Sequence, residues 1–490
     1  MSDHGTRMDI DHLGSPENAR NILCRAEEAV PAYRHFLTLC PPSEQAGLDA
    51  YPVTDKASYL RQYPYQELLG DDAHDSFTIF ASSGSSGASF FWPQLRSGHQ
   101  QVIPRLRQFL ETSFQIQNRT TMAIVGLALG SWIGGEHMSW ALKSLALTVD
   151  YPLCVFSPGS NHEEIIRMIV SSDPYVEQFI LYLCPSAIAH IRLRADEAGT
   201  VLPLHKIRFV VLGEAFPESV RSSLQRQAGL PESATVMLSI YGSADTGVLG
   251  VESAASVALR RVLVEHPALA DELGIGTVVP HFFHGIAPDA YLETRAGELL
   301  ITRWQGVPLL RYNLHDSARL LSWKHTRRGV LELLADSNNK SASAELLERA
   351  GDDLPDLLAV AGRSDSTLIL CGTNISEPML DSAVRCGELE PYLTGVYRAR
   401  IDYDGDRQRL CLDLEFRQVC ELSSGQIDQV YGLLVRSLGL VQPEFMDDWR
   451  NVYHLWDHDP AKRILDLRCS HWPALSNALS AGIKHRGIQA

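Results

Sequence analysis

The sequence predicts an α/β protein with a large N-terminal domain, built on mostly parallel sheets with helices, and a small C-terminal α+β domain. Between Thr78 and Leu238, short apolar runs alternate with helical patterns, which indicates βαβ units. Later segments are shorter and β-rich, and from Gly362 strands mix with a long helical pattern. The length of 490 residues exceeds what one hydrophobic core normally serves. We therefore predict two domains, residues 1–361 and 362–490.

The N-terminal domain is predicted to begin with helices. Apolar residues recur at helical spacing from Glu17 to Leu39, and Pro31 interrupts this amphipathic pattern. Thr54 stands where a helix N-cap is expected, before a short segment that ends at Leu60. The predicted buried strands are Phe77–Ala81, Thr121–Leu127, Phe179–Leu183 and Ile207–Val211, and the predicted helices are Gln101–Thr112, Glu163–Ser171 and Glu218–Gln227.

The C-terminal domain shows a different order of patterns. Two strands are predicted, Val396–Tyr403 and Arg409–Phe416, followed by the helix Ser424–Ser437, which opens on Ser423 or Ser424. The stretch Leu334–Leu354 that precedes this domain is polar and charged, so we expect a surface excursion there.

Composition and charge exclude several classes of protein. Lysine and arginine number 43 and aspartate and glutamate 59, which gives a formal net charge of −16. Nucleic acids and anionic membranes attract clustered basic residues, so neither is an expected partner, and Arg260 and Arg261 are expected on the solvated surface. The nine cysteines form no CxxC pair, which favours reduced thiols in a cytoplasmic protein. The polar N-terminus does not resemble a signal peptide, and the apolar run Met122–Gly135 is shorter than the ~20 residues that span a bilayer.

A serine- and glycine-rich loop follows the first predicted strand. Its residues are Ser82, Ser83, Gly84, Ser85, Ser86 and Gly87. Backbone N–H groups of such a loop can wrap phosphates, because glycine permits a close approach of the backbone. The Gly-Lys-Ser/Thr ending of a Walker loop is absent, and a flexible polar turn is the alternative.

Two further motifs follow apolar strands. Tyr241-Gly242-Ser243-Ala244-Asp245 ends in a carboxylate, which suits a hard cation such as Mg²⁺. The alternative is that Asp245 caps a helix. Gly213-Glu214-Ala215 also follows a strand, and its alternative is a loop without a binding role.

Three motifs remain. Asp316 ends the run Arg311-Tyr312-Asn313-Leu314-His315-Asp316 and can accept two ribose hydroxyls, with a surface turn and a buried ion pair as the alternative. Gly362-Arg363-Ser364-Asp365 joins the predicted domains, and glycines that flank a short connector suit a hinge.

His281 and His284 form a close pair, for which a structural role is favoured over metal binding because no third ligand is near in sequence.

In their order and spacing these motifs resemble the adenylate-forming (AMP-forming) ligases, especially the phenylacetate–CoA ligase branch. The resemblance begins near residue 20, where VPAYR and YPVTDKASYLRQYPY are similar to landmarks of that branch, and it extends to about residue 470. It implies the adenylate-forming ligase fold, with a small C-terminal domain that rotates about a hinge at Ser364 and Asp365. It also implies ATP and Mg²⁺ as cofactors, with CoA as the usual co-substrate.

The resemblance assigns roles to the motif residues. ATP would be bound by the Ser/Gly loop, Gly213, Glu214, Ala215, Tyr241, Gly242, Ser243, Asp316 and Arg363. Asp245 would ligate Mg²⁺, although most relatives have glutamate there. The turn from Trp132 to His137 resembles a turn of the relatives, so that the acyl pocket would include Trp132, Gly134, Gly135 and His137, with core packing as the alternative.

The C-terminal loop departs from the family pattern. Relatives place a catalytic lysine where this chain has Pro460, whereas the residues that follow match. We expect Lys462 to substitute for it, and the catalytic residues to be Lys462, Asp245 and Arg311. If no cation of this loop takes part, the charge that develops during the reaction must be stabilised by Mg²⁺ and backbone donors.

The resemblance implies a reaction. An organic carboxylate, aryl or acyl, would be activated with ATP as an acyl-adenylate, pyrophosphate would be released, and the acyl group would pass to a nucleophile, by default the CoA thiol. Because the C-terminal loop is altered, an amine or a carrier protein is the alternative acceptor. A role in secondary metabolism would suit such a departure from the family pattern. A catalytically degenerate protein that binds nucleotide or acyl ligand is the alternative from another class. A monomer or homodimer is expected.

Overall fold

The computed structural model describes residues 8–43, 47–82, 90–99, 102–276, 278–337, 341–365, 367–417, 423–472 and 474–475. These residues form two compact units. Of the described residues, the first unit contains those within 8–82, 91–183 and 194–362, and the second contains residue 90, residues 184–193 and those from Arg363 onward. In the part of the chain so described, no helix is both long and apolar enough to cross a membrane.

A large mixed sheet runs through the first unit. The earlier strands of this unit are β1 (His12–Leu13), β2 (Ser76–Ala81), β3 (Phe91–Leu95), β4 (Thr121–Val125), β5 (Leu153–Phe156), β6 (Gln178–Leu183) and β7 (Ile207–Leu212). The later strands are β8 (Met237–Ser243), β9 (Gly247–Val251), β10 (His281–Gly285), β11 (Ala290–Arg295), β12 (Glu298–Arg303), β13 (Leu309–Leu321) and β14 (Leu357–Arg363). Twelve of them form one sheet in the order β1-β11-β12-β13-β14-β10-β9-β8-β7-β6-β4-β5. The pairs from β5 to β8 in that order are parallel, as predicted, and the pair of β8 with β9 is antiparallel.

Helices lie between these strands along the chain. They are α1 (Pro16–Ala29), α2 (Pro31–Leu39), α3 (Arg96–His99), α4 (Val102–Phe114), α5 (Ile133–Thr148), α6 (His162–Ser172), α7 (Pro185–Glu197), α8 (Glu218–Gln227), α9 (Ala254–Glu265), α10 (Pro267–Glu272), α11 (Trp323–Ser337) and α12 (Ala342–Arg349). The side chains of Ser15, Asn161 and Ser253 accept backbone N–H groups at the starts of α1, α6 and α9. These caps satisfy donors that have no partner within the helix.

Most predicted elements of the first unit are confirmed to within a few residues. The interruption at Pro31 separates α1 from α2, and Pro31 opens the second helix, where its missing N–H costs nothing. The predicted helix Glu218–Gln227 has the observed bounds of α8. Local periodicity was sufficient here because the helices α1, α2, α6 and α8 each bury one set of side chains and leave the others accessible.

Three predictions for this unit are wrong. The strand Phe77–Ala81 is not part of the parallel sheet, because β2 pairs with β3 in a separate two-stranded sheet. Thr54 caps no helix, since the cap of the short π-helix Lys56–Leu60 is Asp55. The stretch 334–354 is not a surface excursion, because it contains helix α12 and buries Leu334 and Leu347 in a hydrophobic cluster.

The second unit is a small α+β structure. Its strands are β15 (Thr367–Leu370), β16 (Thr373–Ser376), β17 (Leu393–Asp404), β18 (Arg407–Phe416) and β19 (Leu465–His471), and its helices are α13 (Glu377–Val384), α14 (Ser424–Val441) and α15 (Pro443–Asn451). β17 and β18 pair antiparallel and β19 adds in parallel to β18. The two strands and the helix predicted here are confirmed, and Ser423 forms a capping box with Gln426 at the start of α14.

Candidate functional site

Asp245 lies at the centre of a buried polar cluster in the first unit. Its carboxylate accepts hydrogen bonds from Lys56 Nζ at 3.0 and 2.9 Å and from the Tyr312 hydroxyl at 2.8 Å. The Gln305 side-chain amide donates to the Asp245 backbone carbonyl at 2.7 Å. The Asp245 side chain is 6% exposed and that of Lys56 is 28% exposed. We call these four residues the Asp245 cluster.

The turn between β8 and β9 presents Asp245. Gly242 permits this turn, because a Cβ atom there would lie 2.3 Å from the carbonyl oxygen of Gly247. The Ser243 hydroxyl accepts the backbone N–H groups of Asp245 and Thr246. Asp245 is therefore a turn residue between antiparallel strands, and the alternative in which it caps a helix is wrong.

The segment before the π-helix brings Lys56 to this turn. Thr54 pairs with β13 in parallel fashion: its N–H donates to the Arg311 carbonyl at 3.2 Å, and its carbonyl accepts from Asn313 N at 2.8 Å. Asp55 accepts from the Ser58 N–H at 2.6 Å and lies 3.5 Å from His315 Nε2. The bond with His315 and those from Ser58 hold the pKa of Asp55 far below its usual range, although burial opposes this. The residues just before and just after Lys56 in the chain are thus held in place, and they fix the position of Lys56.

A Mg²⁺ ion bound by Asp245 would have to compete with donors that already engage this carboxylate. Mg²⁺ needs a carboxylate oxygen with room for a first shell of about six oxygens. Both oxygens of Asp245 already accept from Lys56, and Oδ2 also accepts from Tyr312. Among the described residues, no group of three His, Cys, Asp or Glu side chains is arranged to hold a metal ion. The Mg²⁺ ligand role of Asp245 therefore stays a prediction, and the cation beside this carboxylate is Lys56.

Asp316 and Tyr241 are brought together from different strands. The Tyr241 hydroxyl donates to Asp316 Oδ2 at 2.5 Å, and its ring centroid lies 5.3 Å from that of Phe283. Tyr241 lies near the end of β8, a few residues before Asp245, while Asp316 and Tyr312 share β13. The two motifs predicted to bind ATP therefore contact each other at one place.

Arg311 is placed away from this contact. It is fully buried, and its guanidinium donates to Glu293, to Asp49 and to the Tyr51 carbonyl at 2.6–3.1 Å. The structure therefore gives Arg311 the surroundings of a residue that holds β13 and the N-terminal segment together. If Arg311 contributes to catalysis as predicted, it would do so by positioning β13, which also carries Tyr312.

Gly213, Glu214 and Ala215 follow β7 and lie beside a buried ionic network. The network consists of Glu218, Arg221, Glu252, Arg260, Arg261 and His281. Arg260 also donates to the Phe216 carbonyl at 3.0 Å, and Glu252 accepts from the Ser239 N–H at 2.7 Å. The network therefore anchors both the segment after β7 and the strand that leads to Tyr241.

Two interpretations of the sequence concern residues in or near this network. Arg260 and Arg261 are buried and paired with Glu218, so the expectation of solvated surface is wrong. His281 contacts Glu252 and the Phe216 carbonyl through its two ring nitrogens. His284 contacts the Ser253 hydroxyl and the Pro355 carbonyl. Both histidines therefore have the structural surroundings that the sequence favoured.

A mostly apolar cavity of about 550 Å³ opens beside the Asp245 cluster within the first unit. One face of α4 lines it with Val102, Arg105, Leu106 and Phe109, and α5 adds His137, Met138 and Ala141. The β8–β9 turn lines it with Thr246 and Gly247, and β12 and the residues after it add Arg303, Trp304 and Gln305. Gln305 therefore belongs to both the cavity and the cluster. The volume falls within the roughly 300–1,000 Å³ typical of ligand pockets.

Of the four predicted pocket residues, His137 lines the cavity. Burial, and to a lesser degree Arg303, lower its pKa to about 4, so the ring is neutral at pH 7. Trp132 precedes α5 and pairs with Ala81, and it is not part of the cavity wall. Gly134 and Gly135 begin α5, where a Cβ at Gly135 would lie 2.1 Å from the Ala128 carbonyl oxygen. Gly135 thus allows α5 to lie close to the backbone of the segment that follows β4.

The Ser/Gly loop lies mainly outside the described residues. Ser83, Gly84, Ser85, Ser86 and Gly87 fall there, so their predicted contact with ATP stays a prediction. Ser82 is described and is buried at the end of β2. The strand β2, which precedes the loop in the chain, pairs antiparallel with β3.

Lys462 and the predicted hinge belong to the second unit, except Gly362. Lys462 lies in a turn before β19, where its N–H donates to the Asp459 carbonyl at 2.8 Å. Arg407 donates to the Ala461 carbonyl at 2.6 Å and so helps to fix the turn. In the hinge, Arg363 forms an ion pair with Asp365 at 2.5 Å, and Ser364 between them is exposed. The roles of these residues in catalysis, ATP binding and domain rotation stay predictions.

Lys56, Tyr312 and Gln305 were not predicted as site residues. Lys56 stood within the landmark YPVTDKASYLRQYPY, which was a usable signal, and Tyr312 stood beside Arg311 in its motif. Gln305 lies in a segment with no recognisable pattern. Its place in the cluster depends on the pairing of β12 with β13, which a single sequence does not reveal.

Comparison with known proteins identifies the fold of this chain. No family profile and no curated protein sequence matches this chain. The solved structure of 2-hydroxyisobutyryl-CoA ligase in complex with 2-HIB-AMP and CoA, in the thioesterification state, is similar, with a TM-score of 0.59 and 13% sequence identity over 98% of this chain and 91% of that chain. Weaker similarities extend to the AtGH3.15 acyl acid amido synthetase in complex with 2,4-DB (TM-score 0.44, 11% identity, 96% of this chain and 92% of that chain) and to a malonyl-CoA ligase with methylmalonyl-CoA and AMP bound (TM-score 0.41, 12% identity, 90% and 82%). The first similarity confirms that this chain has the predicted α/β fold of the adenylate-forming ligases.

Proposed function

We propose that this protein activates an organic carboxylate with ATP as an acyl-adenylate. One observation carries the proposal: the turn of Asp245, Thr246 and Gly247 belongs both to the polar Asp245 cluster and to the wall of the apolar cavity. An adenylating enzyme needs a polar region for nucleotide phosphates next to an apolar pocket for the acid. This turn joins surfaces of these two kinds, and the fold shared with a CoA ligase supports the same reading.

The proposed reaction has two steps. A carboxylate oxygen of the acid attacks the α-phosphorus of ATP, and pyrophosphate leaves with the electron pair of the broken P–O bond. A nucleophile then attacks the acyl carbon and loses its proton, and AMP leaves with the electron pair of the C–O bond. The first step replaces a poor leaving group by a phosphate ester, the usual reason for a covalent intermediate. The thiol of CoA is the default acceptor, with an amine or a carrier-protein thiol as the alternative.

The residues of the site take separate parts in this proposal. Asp316, which already accepts from Tyr241, would accept the ribose hydroxyls of ATP. The ammonium of Lys56 holds the carboxylate of Asp245 in place and adds positive charge where phosphate would approach. Lys462 stays the predicted catalytic cation of the C-terminal loop. ATP would enter with Mg²⁺ as its counterion, and that ion would add positive charge at the phosphates.

The phenylacetate–CoA ligase branch is the relationship that we propose within this fold. It rests on the landmark YPVTDKASYLRQYPY, which places Lys56 in the Asp245 cluster. A second candidate function is binding of nucleotide or acid without turnover. Two observations favour it: Pro460 stands where relatives have lysine, and the carboxylate of Asp245 is already engaged by Lys56.

Exchange of labelled pyrophosphate into ATP tests the proposal. The full-length protein would be assayed with Mg²⁺ and single aryl, alkyl and amino-acid carboxylates, without an acceptor, beside Asp316→Ala as the matched inactive control. Exchange that depends on one acid and is lost in the control supports adenylation. ATP binding without exchange for any acid, in the presence or absence of CoA, would favour the binding protein instead.

A further inference from the structure

Arg105 gives the apolar cavity an uncompensated positive charge. It lies on the face of α4 formed by Val102, Arg105, Leu106 and Phe109, whose spacing of three and four residues turns all four towards the cavity. Within the described part of the chain, no hydrogen bond or ion pair holds the guanidinium of Arg105. Its neighbours on the same helix face are apolar, so nothing on that wall balances its charge.

The other ionisable groups of the cavity are balanced. Arg303 pairs with Asp289 at 2.7 and 2.9 Å and donates to the Thr246 carbonyl at 2.5 Å. His137 is neutral at pH 7 for the reason given above. One positive charge, that of Arg105, therefore remains in excess on the described walls of the cavity.

The two arginines also stand on different walls. Arg303 is tied to the β8–β9 turn, where the proposed reaction would take place, whereas Arg105 belongs to α4. A carboxylate that reacts near the β8–β9 turn does not need Arg105. An unbalanced guanidinium beside apolar side chains attracts a further carboxylate more strongly than it would in water.

We propose that the preferred substrate is a dicarboxylic acid with an apolar middle, one carboxylate of which is activated while Arg105 binds the other. This inference rests on the proposed function, because it names the substrate class of the same site. A carboxylate bound by a guanidinium in two parallel hydrogen bonds would fix the length and orientation of the acid. The apolar lining from α4 and α5 would contact its middle part.

The test compares acids of equal shape and different charge. Pyrophosphate exchange, without CoA, would be measured with terephthalate against 4-methylbenzoate and with suberate against octanoate. In Arg105→Met we expect kcat/KM for the diacids to fall by about 10- to 100-fold, the usual worth of a charge-assisted hydrogen bond, and that for the monoacids to stay the same or rise. Arg105→Lys should recover part of the diacid activity, and Arg105→Glu should favour 4-(aminomethyl)benzoate over terephthalate.

The matched control is Arg107→Met. Arg107 is on the same helix but is exposed and already paired with Glu111 at 2.8 Å, so its loss should change neither class of acid. Equal losses for diacids and monoacids in Arg105→Met, or no preference for diacids in the unchanged protein, would overturn the inference while leaving adenylation intact. Calorimetric binding of terephthalate without ATP separates the two proposals: Arg105-dependent binding with no exchange would support this site and count against the proposed reaction.

Discussion

The ammonium of Lys56 lies 2.9 Å from Oδ2 of Asp245, although 189 residues separate them in the chain. Thr54 makes this contact possible, because its backbone pairs with β13 and fixes the chain two residues before Lys56. The Tyr312 hydroxyl approaches the same carboxylate from β13. The N-terminal segment is thus part of the site and not only a cover for the sheet.

Lys56→Met should impair adenylation strongly. The substitution keeps most of the side-chain volume but leaves the buried carboxylate of Asp245 without its cation, so we expect kcat of pyrophosphate exchange to fall by about 100-fold or more. Lys143→Met is the control, because Lys143 is exposed on α5. An unchanged rate in Lys56→Met would show that the pair is structural only.

The same variant tests whether a metal can use Asp245. Without Lys56, the carboxylate is open to a divalent cation, so Lys56→Met should bind Mn²⁺ in the absence of nucleotide, detected by electron paramagnetic resonance. The unchanged protein and the double variant Lys56→Met/Asp245→Asn should not bind it. Binding of Mn²⁺ by the unchanged protein, lost on Asp245→Asn, would mean that the cation displaces Lys56.

Asp316→Ala should weaken ATP binding. We expect Kd for ATP, measured by calorimetry, to rise by about 10- to 100-fold, which corresponds to the loss of charge-assisted hydrogen bonds. Tyr241→Phe removes the hydroxyl that donates to Asp316 but leaves the carboxylate, so its effect should be smaller. A larger effect in Tyr241→Phe than in Asp316→Ala would mean that Tyr241 is the true nucleotide contact.

The sequence was most informative where function depends on short local motifs. Tyr241, Asp245 and Asp316 were identified from their runs, and the structure brings all three within one region because β8 and β13 lie in the same sheet. Arg260 and Arg261 were misread because a pair of arginines on a helix does not show whether a carboxylate such as Glu218 will be buried beneath them. Partners that are far apart in the chain are set by sheet order, which local patterns do not contain.

Arg221→Met should destabilise the fold, chiefly above pH 4.5. Burial alone would raise the pKa of Glu252, but Arg221 and His281 lower it from 4.5 to about 2. The stability that this depressed pKa provides, about 3 kcal/mol, is therefore present above pH 4.5 and is lost as the pH falls towards 2. Removal of Arg221 leaves the buried carboxylate of Glu252 without its arginine, for which we expect a loss of about 3–5 kcal/mol at pH 7.

Urea unfolding between pH 3 and 7 measures this effect. The unchanged protein should lose stability steadily as the pH falls, and Arg221→Met should lose less, because its Glu252 no longer has a strongly depressed pKa. Arg327→Met is a control with a partly exposed partner, Asp352, outside the network. Parallel pH curves for Arg221→Met and the unchanged protein would contradict the role of Arg221.

Lys462→Ala tests the substitute for the missing lysine. If the ammonium of Lys462 meets charge in the transition state, the rate of pyrophosphate exchange should fall by about 100-fold, and Lys462→Arg should retain part of it. The turn itself should survive, because the contacts from Asp459 and Arg407 involve backbone atoms. A normal exchange rate in Lys462→Ala would show that the reaction proceeds without this cation.

Transfer of an oxygen label tests the formation of an acyl-adenylate most directly. An acid that supports exchange, labelled with ¹⁸O in its carboxylate, would be incubated with ATP, the full-length protein and CoA or hydroxylamine, and the AMP analysed by mass spectrometry. Attack of the carboxylate on the α-phosphorus predicts one ¹⁸O atom in each AMP formed. AMP without the label, or ADP and phosphate as products, would contradict the proposed reaction.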